Sequence, residues 1–127
     1  MTVDWSHTIT LVAEPRSVGE ARDFICVHLL AHHLSHLVDD VRLVVSELTT
    51  NAVAHAGTPF VLTLSSSGGI THVEVRDGSG SPVTPRTPDA LDTAGRGLLI
   101  VGSLSQAWGS TTDGLGFKSV WASFGAD

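Results

Sequence analysis

The sequence is poor in charge and poorest in cations. Charged residues make up 16% of it, its seven Lys and Arg are scattered without a run, and the formal net charge is -6. That balance offers no electrostatic footprint to nucleic acid or to an anionic membrane surface, so neither is expected as a direct partner. No apolar run approaches the roughly eighteen residues of a membrane-spanning helix. The start, MTVDWSHTITLVAEP, also lacks the basic region and apolar core of a signal peptide. The single cysteine, Cys26, stands in the apolar run FICVHLL. It cannot form an internal disulfide, and the expectation is a small buried hydrophobe in a reducing cytoplasm.

What is present is a globular composition. With 127 residues, 42% of them hydrophobic, the chain reads as one domain over residues 1–127. A domain of that size buries roughly two thirds of its unfolded surface. WSHTITLVA alternates as a strand and is closed by Glu14 and Pro15. Ser17 and Glu20 have capping-box spacing, and Ala21, Phe24, Ile25 and Leu29 recur at helical intervals, which predicts a first helix over about 18–31. A second helix starts near Leu37, carries Val41, Val44, Val45, Leu48 and Ala52 on one stripe, and stops at Gly57 and Pro59.

PFVLTLSSS and ITHVEVRDG alternate on either side of Ser67-Gly68-Gly69 and read as a β-hairpin. The interval SGSPVTPRTPDALDTAGRG is too broken for regular structure, and a loop of that length in a small domain is usually functional. A third helix, LLIVGSLSQA, is expected right after Gly97. The end, WGSTTDGLGFKSVWASF, reads as a second hairpin about Asp113-Gly114, with Val120 and Phe124 on one face of its last strand and Trp121 on the other. Because the strands come in hairpins, the fold class is α+β: a two-layer sandwich whose mixed, mostly antiparallel sheet carries about three helices on one face.

The second helix holds a row of polar groups four residues apart. At about 100° per residue, Glu47 and Asn51 fall at the margin of the apolar stripe, and His55 falls within it. A solvated helix edge with a boundary histidine is the more ordinary account of such a row, so the helix alone decides nothing. Two later features share the pattern. Asp77 closes the strand THVEVRD with no cationic partner in sequence, which suits reading a ligand's amino group as well as closing an Asx turn. Gly95 and Gly97 flank Arg96 just before a helix, where exposed N–H groups and the helix dipole make an anion site, although two glycines there are also an ordinary turn.

In order, SELTTNAVAHA, VEVRDGSGSP and GRGLLIV resemble the N box and the two glycine boxes of the Bergerat (GHKL) ATP-binding fold. Within it, the chain is most similar to stand-alone anti-sigma-factor serine kinases. The resemblance implies ATP and Mg2+ as cofactors. It gives Asn51 the metal, Glu47 the attacking hydroxyl, and Asp77 the adenine amino group, with the Ser119 hydroxyl near the same base. Residues 81–94 would form the ATP lid, and Gly95, Arg96, Gly97 and Leu98 would cradle the phosphates. Gly80 and His55 are implied as further nucleotide contacts. Two departures stand out: the first glycine box has glycines at 78 and 80 where the pattern places them at 79 and 81, and Ala54 stands where sensor kinases carry lysine.

The same resemblance implies a sigma factor and an anti-anti-sigma protein of STAS type as partners, the latter phosphorylated on serine, and a homodimer. The competing reading is a nucleotide-gated protein-binding module without kinase activity. The ATPase portion of a sensor kinase is least expected, since the residues before 17 are too few for a phospho-acceptor hairpin. His28, His32 and His36, spaced four apart, would stack as zinc ligands on a continuous helix. A helix break near His33 makes a solvated interhelical turn the expected outcome instead.

Overall fold

Five strands form one sheet in the computed structural model, which describes residues 4–78 and 93–125: Trp5–Leu11 (β1), Phe60–Ser67 (β2), Ile70–Asp77 (β3), Ala107–Thr112 (β4) and Lys118–Phe124 (β5). The spatial order is β1-β2-β3-β5-β4, and all four pairings are antiparallel. Alternation decides which face is covered. Phe60, Leu62 and Leu64 of β2, Val73 and Val75 of β3, and Val120, Ala122 and Phe124 of β5 are buried with residues of the helices in one core. Their neighbours in sequence point to the opposite, more open face, as a period of two requires. There Trp121 lies over Gly109, where an added Cβ would come within 2.9 Å of the indole, and stacks beside His72.

Three helices build the second layer: Arg16–Ala31 (α1), Val38–Asn51 (α2) and Thr93–Leu104 (α3). α1 buries Ala21, Ile25 and Leu29 at strict intervals of four, and α2 buries Val41, Val44, Val45 and Leu48. α2 is the central helix, touching α1, α3, β3 and β5. The hairpin between β2 and β3 turns through Gly68 and Gly69, with φ of 59° and 82°. Both positive values match the twist-compatible two-residue turn that glycine favours.

Three expectations are corrected. Ser17 is not an N-cap: α1 begins one residue earlier, after Pro15 at φ -55°, and the Ser17 hydroxyl is fully buried without a hydrogen-bond partner. Proline's preset φ lets the helix start before the serine can cap it. α3 does not wait for Gly97; it starts at Thr93, so Gly95 and Gly97 both lie inside the helix despite the roughly 1 kcal/mol that each costs there. It ends at Leu104, before the Ala107 limit expected, since Gln106 N already donates to Ser123 O of β5 at 2.8 Å. Cys26 is half-buried rather than a core residue.

Candidate functional site

α2 does not stop at Asn51. It runs into a π-helical turn over Ala52–Ala56, which ends at Gly57 with φ 66°. A π turn is wider than an α turn and frequently marks a functional site. Its consequence is local. Glu47 and Asn51 stay one α-turn apart, both partly buried at the edge of the apolar stripe, while His55 is rotated out of register and is exposed. The expectation that His55 sits within the stripe is therefore corrected: a wheel drawn at α-helical pitch fails beyond Asn51.

Glu47 has an unusual environment for a helix-borne carboxylate. Burial holds its pKa above the ordinary glutamate value. Desolvation disfavours the charged form and makes the carboxylate a stronger proton acceptor when ionised. Asn51, one turn on, presents a neutral carboxamide whose oxygen can ligate a hard cation.

Asp77 closes β3 on the helix-covered face and is only 2% exposed. It pairs in register with Phe60 on one side and Lys118 on the other. The segment leaving the π turn is tied to the same end of the sheet, because Gly78 N donates to Thr58 Oγ1 at 3.0 Å. The end of α2 and the end of β3 are thus joined at one corner of the fold. At Gly78 an added Cβ would lie 3.3 Å from Thr58 Oγ1, so the two backbones approach closely there.

Two expectations about this corner change. Asp77 was expected without a cation, yet Lys118 Nζ lies 3.7 Å from its Oδ2 with both side chains buried. The pair is invisible in sequence because forty residues separate partners that β3–β5 pairing makes adjacent. Ser119 was expected near the same base as Asp77. It pairs instead with Arg76, whose side chain is on the opposite face, so strand alternation turns Ser119 away from the Asp77 carboxylate. Lys118 and Thr58 are the residues that sequence reasoning missed. The available signal was parity: Lys118, not Ser119, shares a face with Val120 and Phe124.

Gly95, Arg96, Gly97 and Leu98 lie within the first turns of α3 rather than ahead of it. Gly80 and residues 81–92 of the expected lid fall outside the described residues. The histidine row does not form either. α1 ends at the His32 cap, and His33 takes φ 61°, which breaks the line to His36. His28 and His32 are not simply solvated. His7 of β1 stacks on His28 with ring centroids 3.9 Å apart, Trp5 stacks on His32 at 3.8 Å, and His7 Nε2 lies 2.9 Å from His32 Nε2. Among the described residues no group of three His, Cys, Asp or Glu converges to hold a metal ion.

The histidine kinase-like ATPase domain family matches residues 11–121 of the chain. No curated protein matches it. Among solved structures, the crystal structure of the RsbU and RsbW domains of Rv1364c from Mycobacterium tuberculosis superposes with a TM-score of 0.73 at 19% identity. The match covers 94% of this chain and 32% of that one, so the chain spans about a third of that protein's length; the similarity is one of fold. Among the described residues no helix is long and apolar enough to cross a membrane.

Proposed function

Because the chain belongs to the histidine kinase-like ATPase domain family, we propose that it is an ATP-binding regulator of anti-sigma-factor type that phosphorylates a serine of an anti-anti-sigma partner of STAS type and binds a sigma factor. The observation that carries this reading is the corner itself. A partly buried carboxylate with a raised pKa and a carboxamide sit one turn apart on α2, and that helix ends where β3 presents the buried Asp77.

The donor set fits Mg-ATP. Asp77, acceptor-only when ionised, takes the hydrogen bond of the adenine amino group. Asn51 offers a neutral oxygen to the metal, and the backbone N–H groups at the start of α3, with the helix dipole, favour phosphate. Bound Mg-ATP supplies the transferable phosphoryl group and the positive charge that stabilises its transfer. Glu47 accepts the proton of the attacking serine hydroxyl, and its raised pKa brings it nearer the strength a general base needs.

The test is transfer from labelled ATP with Mg2+ to candidate anti-anti-sigma proteins, comparing wild type with Asn51→Ala and Glu47→Ala. Asn51→Ala should lose Mg-nucleotide binding, whereas Glu47→Ala should keep it and lose transfer by at least a hundredfold. Tight ATP binding with no transfer to any partner would favour the nucleotide-gated binding module instead. Failure of wild type to bind nucleotide would sink both readings, and equal loss of binding in the two variants would remove Glu47 from its role.

A further inference from the structure

Lys118 is the only lysine in the chain. It is spent where an ammonium is least expected, 5% exposed on the helix-covered face of β5. Burying an ammonium carries a desolvation penalty of several kcal/mol, which one partner at good geometry only partly offsets. Here the partner is Asp77, and the geometry is loose: 3.7 Å between Nζ and Oδ2 lies beyond the usual range of a charge-assisted hydrogen bond. The two groups stand opposite one another in the β3–β5 ladder, at the strand ends beside Gly78.

We propose that Lys118 is a base-reading residue of the nucleotide pocket, donating to a ring nitrogen of the purine next to the amino group that Asp77 accepts from. The inference rests on the reading of Asp77 given under Proposed function. A 6-aminopurine presents on neighbouring atoms one donor, the amino group, and acceptors on either side of it, N1 and N7. An acceptor-only carboxylate and a donor-only ammonium a few ångströms apart are the complement of that edge. A carboxylate alone would bind any exposed amino group; adding the ammonium requires the adjoining acceptor as well. In a site shielded from water both bonds gain strength, and a base lacking either partner leaves a buried charge unsatisfied. Strand parity supports the assignment, since Lys118 shares the Asp77 face and Ser119 does not.

The experiment compares the affinities of wild type, Lys118→Met and Lys118→Gln for ATP, 1-deaza-ATP and 7-deaza-ATP, each analogue replacing one ring acceptor by CH. Wild type should bind one of the two analogues roughly tenfold or more weakly than ATP. Lys118→Met should bind ATP more weakly and lose that discrimination, accepting the penalised analogue as well as ATP. Lys118→Gln, which keeps an N–H donor, should retain part of it and covers the case in which the methionine variant does not fold. If wild type binds all three alike, or if both variants keep the full wild-type ratio, Lys118 only neutralises Asp77 and the proposal is overturned. Absence of ATP binding by wild type is a different failure: it overturns the ATP reading, and this inference falls with it.

Discussion

At the scale of single residues, burial and role pull in opposite directions at Glu47. Its carboxyl group is held above the usual glutamate range by desolvation. A carboxyl whose pKa is raised on folding adds stability only while protonated. The contribution is complete below about pH 4.5, the unfolded value, and is lost as pH rises through the folded value. Wherever Glu47 is ionised it is therefore a liability to the fold. Glu47→Gln, similar in shape and uncharged, should be at least as resistant to urea as wild type at pH 7, with the difference vanishing near pH 4, while phosphoryl transfer is lost. A variant clearly less stable than wild type at pH 7 would mean that the carboxylate holds the helix rather than serves chemistry. Such a trade of stability for activity is common where a site needs a strained or desolvated group.

At the scale of elements, the start of α1 gives opposite signs for two accounts of one residue. As an N-cap, Ser17 would lose about 1 kcal/mol of stability on conversion to alanine. As found, its hydroxyl is buried without a partner inside the first turn, behind Pro15. Removing an unsatisfied buried hydroxyl relieves a desolvation penalty, so Ser17→Ala should raise unfolding free energy by about 1 kcal/mol. Chemical denaturation reads the sign directly. The α2 element carries a similar lesson. Its apolar stripe was legible because Val41, Val44, Val45 and Leu48 follow α-helical pitch and all are buried. The π turn over Ala52–Ala56 was not legible, since nothing in AVAHA distinguishes a wider turn from an ordinary one, and His55 was misplaced for that reason.

At the scale of the molecule, β1 and α1 are held together at one edge by a seam of rings, Trp5 and His7 against His28 and His32. Burial first, and the neighbouring His7 second, lower the pKa of His28 and His32. The His7–His32 contact also needs one ring to donate and the other to accept. The His28 and His32 rings therefore bind fewer protons in the folded state than in the unfolded chain below about pH 6.5, and their contribution to stability should fall as pH drops through that range toward the lowered values. Thermal melting at pH 7.5 and 5.5 should show the fall, and a His28→Gln, His32→Gln double variant should show less of it. A double variant that loses as much stability on acidification as wild type would refute the account. By itself the sequence determined the order of elements, the hairpins and the apolar faces, because each is written in local periodicity and turn chemistry, whereas Glu47, Asn51 and Asp77 stood out only through the resemblance of their motifs to a known family. Only the tertiary structure decided that Lys118 rather than Ser119 meets Asp77, that His7 joins His28 and His32, and that Thr58 ties α2's end to Gly78. Those pairings depend on strand register and on contacts between residues 20 or more apart in the chain, which no local pattern specifies.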